Sequence, residues 1–120
     1  MWVAGGNGLY YSTNGTTWTH SNITTISFNS VFYGNGMWVA GSNDNGLYYS
    51  TNGTTWTRAI DNTGSYMGAT IYSIGYNGGM WIAGSNNGLY YSTNETTWTQ
   101  SNITTGYFYP VFYGNGKWVS

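Results

Sequence analysis

The sequence GLYYSTNGTTWT occupies residues 8–19, recurs unchanged at residues 46–57, and appears a third time at residues 88–99 with Glu95 in place of the glycine. The tryptophans of the three copies are 38 and then 42 residues apart. A period of about 40 residues is typical of one four-stranded β-propeller blade. The chain is therefore predicted to consist of repeated blades.

Two further phrases alternate with this one. Met-Trp-Val-Ala-Gly begins at Met1 and Met37, returns at Met80 with Ile82 in place of valine, and starts again at Lys117. Val-Phe-Tyr-Gly-Asn-Gly occupies residues 31–36 and 111–116, and recurs more loosely at 74–79. Each phrase predicts a short β-strand, because aromatic and β-branched residues dominate it and Gly or Asn-Gly bounds it. No segment has the apolar spacing of a helix, so we predict an all-β fold.

Within one repeat the predicted order is strand A around residues 30–33, strand B at 38–40, strand C at 47–50 and strand D at 55–57. Asn-Gly between A and B, and again between C and D, predicts type I′ hairpin turns with positive φ at both central residues. The result is an antiparallel meander. A single repeat domain over 1–120 then holds a partial blade at 1–19, blades at 28–57 and 69–99, and a partial blade at 107–120. Pro110 would lie in the last strand A, an edge strand that tolerates proline.

The phrase GLYYSTNGTTWT, called the hairpin phrase below, resembles the Asp-box of bacterial neuraminidase (sialidase-like) repeats. The Asp-box is a Ser-x-Asp-x-Gly-x-Thr-Trp hairpin between the last two strands of a propeller blade. The matching residues are Ser12, Asn14, Trp18, Ser50, Asn52, Trp56, Ser92, Asn94 and Trp98. The phrase departs from the family pattern in two ways, since the hairpin is one residue shorter and asparagine stands at the aspartate position. The resemblance implies a propeller. It implies no activity, because the Asp-box resembles a structural clip found in enzymes, receptors and lectins.

The composition argues against most catalytic chemistry. Charged residues make up 4% of the chain, and cysteine is absent, so there is no disulfide or thiolate metal site. Sialidases of the family that the hairpin phrase resembles use three arginines to bind the substrate carboxylate, whereas Arg58 is the single arginine of this chain. A generic glycosidase needs two carboxyl groups at a set separation; Asp44 and Asp61 are available, but nothing in the sequence requires that role. We predict no enzymatic activity, no cofactor and no metal.

Two classes of partner are also not predicted. Nucleic acid would require one cation for each neutralised phosphate, and the chain has two Lys and Arg residues in total. No apolar run approaches the roughly 20 residues of a membrane helix, and residues 1–20 show no signal-peptide pattern. The sequence therefore predicts neither a nucleic-acid nor a membrane partner, and it assigns no compartment.

The spacing between strands separates two kinds of loop. The A–B interval is always 7 residues and the C–D interval always 9, whereas B–C is 7, 9 or 8 and D–A is 13, 18 or 13. In a meander the two variable loops emerge on one side of the blade, and variable loops on a constant scaffold are where binding usually resides. The candidate ligand-binding residues on that side are Asn43, Asp44, Asn45, Arg58, Asp61, Tyr66 and His20.

These loops favour a neutral or weakly charged glycan as ligand, because asparagines beside tyrosines supply hydrogen bonds and apolar faces without net charge. Near-identical blades would add multivalent avidity. Two alternatives stay open. Asp44, Arg58 and Asp61 could be a solvated ion cluster, and the whole chain could be a structural, amplified or designed repeat with no ligand.

Counting strands predicts how a ring would close. The chain supplies three strands each of types A, C and D, which make three blade-equivalents, and propellers close with about four to eight blades. Two chains would give a six-bladed homodimer in which the last strand A of one chain completes the first blade of the other. The B-type strands at Met1 and at Lys117 would then compete for one place. The alternative is an excerpt of a longer propeller.

Overall fold

The computed structural model describes residues 1–101, 112–114 and 117–119. These residues form fourteen β-strands and no helix, which confirms the all-β prediction. Sheet 1 contains β1 (Trp2–Gly6), β2 (Gly8–Ser12) and β3 (Thr19–His20). Sheet 2 contains β4 (Phe28–Gly34), β5 (Met37–Ser42), β6 (Leu47–Ser50) and β7 (Thr57–Arg58). Sheet 3 contains β8 (Ile60–Asp61), β9 (Ile71–Asn77), β10 (Met80–Ser85), β11 (Gly88–Ser92) and β12 (Thr97–Gln100), and a hairpin contains β13 (Phe112–Gly114) and β14 (Lys117–Val119).

Equivalent strands pair in the same register in all three sheets. The tryptophan of the Met-Trp-Val-Ala-Gly phrase lies opposite the serine of the GLYYSTNGTTWT phrase: Trp2 pairs with Ser12, Trp38 with Ser50 and Trp81 with Ser92. The antiparallel order of the predicted strands A to D is that of β4 to β7 and of β9 to β12. In sheet 2 strand D is shorter than predicted and begins later, at Thr57, whereas in sheet 3 the equivalent strand β12 begins at Thr97.

Sheet 3 differs from the predicted four-stranded meander. The segment β8, which follows the last strand of sheet 2, crosses to sheet 3 and pairs in parallel with β12. The Ile60 amide donates to the Thr96 carbonyl at 3.1 Å. The sheet therefore has five strands, and Asp61, for which the strand spacing predicts a loop, lies in one of them.

The A–B hairpins and the C–D hairpins have different turns. Between A and B, Asn35 (φ 53°) and Gly36 (φ 74°) both lie in the left-handed region, as a type I′ turn requires. Between C and D the prediction of a type I′ turn is wrong. Only the residue after each asparagine has positive φ, at Gly15 (80°), Gly53 (77°) and Glu95 (69°), because the asparagine side chain organises a longer turn.

The sheets follow one another face to face, and the apolar core lies between them. Leu9 of sheet 1 packs with Phe28, Ala40, Tyr48 and Trp56 of sheet 2. A second cluster joins the opposite face of sheet 2 to sheet 3 and includes Val39, Leu47, Trp81, Tyr90 and Trp98. Strand β4 contacts β1 and β9, and β13 contacts β9. The described strands do not form a closed propeller. Pro110 and the start of the partial blade predicted at 107–120 lie outside the described residues.

Candidate functional site

Arg58 lies in β7, opposite Tyr48 of β6, where sheet 2 meets its variable loops. Its Nε donates to the Asn45 carbonyl and its Nη2 donates to the Met67 carbonyl, each at 2.9 Å. One loop before β6 and one loop after β7 are thereby joined through a single side chain. Burial raises the pKa of Tyr48, and the positive charge of Arg58 opposes that rise. The guanidinium is fixed in place by the protein's own loops.

Tyr66 presents an aromatic ring at the surface beside this arginine. The guanidinium carbon of Arg58 lies 4.6 Å from the ring centroid, which is cation–π contact distance. A backbone bridge from Ile60 to Tyr66 closes the base of the loop. The Tyr66 side chain is nevertheless 62% exposed. The ring is therefore held in position and open to solvent at the same time.

The loop at residues 43–46 lies beside Arg58, since its Asn45 carbonyl accepts from the guanidinium. Asp44 has φ 61°, and its amide donates to Thr70 Oγ1 at 3.0 Å, while the Thr70 hydroxyl donates to the Asp44 carboxylate at 2.9 Å. Asn43 Oδ1 accepts from Asn29 Nδ2 at 2.8 Å, and Asn45 Nδ2 donates to the Asn43 carbonyl at 3.1 Å. Side-chain bonds on both flanks therefore order the polar residues of this loop. The structure brings Asn43, Asp44, Asn45, Arg58 and Tyr66 together as one site, which we call the Arg58–Tyr66 platform.

The platform is continuous with the loops of the neighbouring sheets. The Asn43 amide donates to the Ser27 carbonyl, which follows sheet 1, at 2.9 Å. On the other side Thr70 donates its amide to Asn86 Oδ1 of sheet 3 at 3.0 Å, and Asn86 returns its amide to the Thr70 carbonyl at 3.1 Å. The variable loops of all three sheets thus share one hydrogen-bonded surface.

Asp61 supports the platform without joining it. Its Oδ1 accepts from the Thr63 hydroxyl, from the Thr63 amide at 2.9 Å and from the Ser65 amide at 3.1 Å. These bonds, led by the Thr63 hydroxyl, hold the pKa of Asp61 below its ordinary value of 3.8. The carboxylate therefore folds the turn that leads to Tyr66. Its role is to position that side chain.

His20 lies apart from the other predicted residues. It sits in β3 of sheet 1, opposite Tyr10, with the two ring centroids 4.1 Å apart. His20 pairs with Tyr10 in sheet 1, and Arg58 pairs with the equivalent Tyr48 in sheet 2. His20 and Arg58 therefore occupy equivalent positions. His20 is therefore a counterpart of Arg58 on another sheet, and the structure does not bring it into the platform.

The three hairpins between strands C and D share one hydrogen-bond pattern. In the first, Asn14 Oδ1 accepts the amides of Thr16 and Thr17, both at 2.9 Å, and Ser12 Oγ accepts the amide of Gly15 at 2.8 Å. Asn52 and Asn94 accept the corresponding amides in the other two. The indole nitrogens of Trp56 and Trp98 donate to the carbonyl of the positive-φ residue, at 3.1 and 2.9 Å. The asparagine oxygen thus organises each hairpin, and these groups are committed to structure.

Glu95 carries a carboxylate, a group that often binds ligands or catalyses reactions, and the sequence did not predict that this side chain is buried. Its side chain is buried, and its carboxylate accepts the indole N–H of Trp81 at 2.6 Å. The equivalent position in sheet 2 is Gly53, where an added Cβ would lie 2.7 Å from the sulfur of Met1. The sequence did contain a signal of this environment, because Glu95 is the one departure from the repeated phrase. A glutamate in place of a positive-φ glycine needs a compensating contact.

Residues 1–101, 112–114 and 117–119 contain no group of three or more His, Asp or Glu side chains placed to hold a metal ion. In the same part of the chain there is no helix long and apolar enough to cross a membrane.

The chain matches no protein-family model, no curated protein and no solved structure.

Proposed function

We propose that the chain is a non-catalytic binding module of the β-propeller type, built from Asp-box-like blades, that binds a neutral glycan or similar polar ligand on its variable-loop face. Three consecutive sheets with one strand order, one register and one hairpin pattern support the propeller part of this proposal. The adjacency of the inner strands β4 and β9 supports it further, because blades meet at their inner strands around an axis.

The observation that carries the ligand proposal is the ordered, exposed ring of Tyr66 on the Arg58–Tyr66 platform. Sugars offer apolar C–H faces that pack on aromatic rings and hydroxyls that need directional hydrogen-bond partners. Arg58 uses Nε and one N–H of Nη2 for loop carbonyls, and we assign its other guanidinium N–H groups as donors to the ligand. The Asn45 and Asp44 side chains line the same loop surface. A site ordered before binding loses little conformational freedom when the ligand arrives.

The non-catalytic part of the proposal follows from how the carboxylates are used. Asp44 accepts from Thr70, Asp61 folds the 61–65 turn, and Glu95 is buried against Trp81. A hydrolytic pair would need two carboxyls facing one substrate, one of them protonated. These three acids are instead tied to separate structural contacts.

One observation favours a second candidate, a structural repeat with no ligand. The hydrogen bonds of Arg58 go to the protein's own loops, so its charge is already used to hold the fold. In that case the platform is an internal brace, and its polar groups keep a nearly chargeless surface in solution.

A saccharide array followed by titration distinguishes the two candidates. We expect a neutral saccharide to bind with a Kd between about 1 µM and 1 mM, and Tyr66→Ala or Asn45→Ala to weaken it at least about tenfold. Tyr33→Ala is the matched control, since Tyr33 is an exposed tyrosine of sheet 2 outside the platform.

The location of the site is tested by the same titration. Loss of binding in Asn14→Ala or Asn52→Ala with silent Arg58→Ala and Asp44→Ala would move the site to the hairpin side and overturn the proposal. No binding to any saccharide would favour the structural candidate.

A further inference from the structure

The outer face of sheet 1 carries the same side chains that are covered in sheet 2. Trp2, Ala4, Tyr10 and Trp18 correspond in sequence and register to Trp38, Ala40, Tyr48 and Trp56. Ala40, Tyr48 and Trp56 are buried against sheet 1, whereas Trp2 is 62% and Trp18 is 40% exposed. Soluble proteins rarely expose a patch of this kind without a partner.

The contact between sheets 1 and 2 shows what covers such a face. Leu9 is fully buried against sheet 2, and Val3 and Ile23 pack beside it. After sheet 1 the chain adds a clip, because Asn22 Oδ1 accepts the amide of Trp56 at 2.8 Å and Asn22 Nδ2 donates to its carbonyl at 3.1 Å. The cover is therefore the opposite face of another sheet of the same kind.

Sheet 3 presents such a face at the other end of the stack. Ile82, Leu89 and Tyr91 hold the places of Val3, Leu9 and Tyr11 in sheet 1, as the common register shows. The corresponding Val39 and Leu47 of sheet 2 are fully buried against sheet 3, whereas Ile82 and Leu89 are only partly covered and Tyr91 is 37% exposed. The two ends of the stack are complementary, because each repeats one half of an interface that already exists inside the chain.

We propose that a second copy of this chain seats its third sheet on the outer face of sheet 1, and that two copies do so reciprocally. This gives a ring of six sheets with two equal seams. The inference rests on the propeller-type stacking of the proposed function. The β13–β14 hairpin supports this assembly. Strand β13 lies beside β9, where it could serve as the inner strand that sheet 1 of the second copy lacks. A reciprocal head-to-tail contact closes with two-fold symmetry, whereas one that did not close would give an open polymer.

The strand β14 sets a condition on this assembly. It pairs with β13 in the chain, in the place that β1 of the second copy would take. Strand β14 therefore competes with the partner's β1 for β13. Forming each seam replaces the β13–β14 pairing by a pairing between β13 and the partner's β1. Removing residues 115–120 is expected to tighten the association.

The experiment measures the solution mass of the 120-residue chain by sedimentation velocity across a concentration series. We expect twice the chain mass of 13.2 kDa at high concentration. Trp18→Lys on one face and Tyr91→Lys on the other should each shift the chain to the monomer with unchanged far-UV circular dichroism. Tyr33→Ser, which changes an exposed aromatic residue of sheet 2, should leave the mass as it is.

Mixing the two lysine variants gives the sharpest readout. Each variant alone places a lysine in both seams, but a mixed pair has one seam with both lysines and one seam with neither. Differently tagged Trp18→Lys and Tyr91→Lys chains should therefore capture each other although neither captures itself. A monomer at every concentration, a mass that grows beyond two copies, absence of mixed capture, or loss of association on removing residues 115–120 would each overturn the proposal. Saccharide binding that depends on Tyr66 would survive any of these results.

Discussion

Sheets 1 and 2 carry the same twelve residues, GLYYSTNGTTWT, yet the tryptophan of this phrase has two different environments. Trp56 is 3% exposed, because sheet 1, Asn22 and Met1 lie against its hairpin, whereas Trp18 is 40% exposed. The local hairpin geometry is the same in both copies, with Asn14 and Asn52 accepting equivalent amides. The repeated phrase therefore encodes the shape of the hairpin, while the neighbouring sheet decides which side chains form the core.

The largest expected effect separates these two tryptophans. Trp56→Ala should destabilise the chain by about 3–5 kcal/mol, as for other buried large aromatic residues. Trp18→Ala should cost less than half of that in dilute solution, because its side chain already contacts water. Urea unfolding of both variants measures the difference. Equal costs, or a cost below about 1 kcal/mol for Trp56→Ala, would contradict the comparison.

A second prediction uses the third hairpin against the first two. Glu95→Ala leaves the Trp81 indole N–H buried without its acceptor, which should cost about 1–3 kcal/mol. Glu95→Gln keeps an acceptor oxygen and should cost less. The reverse change, Gly53→Glu, should also destabilise, because Met1 fills the space beside Gly53. A neutral Glu95→Ala variant in thermal unfolding would show that the buried bond adds nothing.

The clip between sheets 1 and 2 is a smaller contribution. Asn22→Ala removes two hydrogen bonds to the main chain of Trp56, and we expect a loss of about 1–2 kcal/mol. Amide hydrogen exchange gives a local readout, since the Trp56 amide should lose protection. Asn62→Ala, at an exposed loop position, is the matched control. Unchanged protection at Trp56 would count against the clip.

The smallest effect is the pH response of the Asp61 turn. Because its hydrogen bonds depress the pKa of Asp61 in the folded chain, their contribution is present above the ordinary value of 3.8 and is lost as pH falls through the lower folded value. The amide resonances of Thr63 and Ser65 should therefore shift in that acidic range by nuclear magnetic resonance. Asp61→Asn should remove the transition, and a titration at or above the ordinary pKa would contradict the assignment.

Repetition and turn residues made much of the fold predictable. The period of the phrases located the strands of sheets 1 to 3, and Asn35-Gly36 predicted the turn between strands A and B. The hairpins between C and D were predicted with the wrong turn type, since the Asn-Gly dipeptide does not show that a side-chain oxygen will organise the loop. The parallel pairing of β8 with β12 was missed because it joins two sheets, and local patterns carry no information on such contacts.

That Arg58, Asn45 and Tyr66 lie on one side of the molecule was predictable from the sequence, but the contacts of their side chains were not. Variable loop lengths pointed to the side that holds Arg58, Asn45 and Tyr66, and these residues lie together. Loop length could not show that Arg58 would be held by loop carbonyls or that Asp61 would fold a turn, because both depend on the path of the chain from 61 to 67. His20 was grouped with them by loop type, although it belongs to a different sheet.

The central claim is that neighbouring sheets, and not the repeated phrase, decide burial. Hydroxyl-radical footprinting with mass spectrometry measures it directly in dilute solution. We predict that Trp2 and Trp18 are oxidised rapidly while Trp56, Trp81 and Trp98 are protected, and that Trp18 becomes protected as the concentration rises. Similar oxidation rates for Trp18, Trp56 and Trp98 under all conditions would contradict the account.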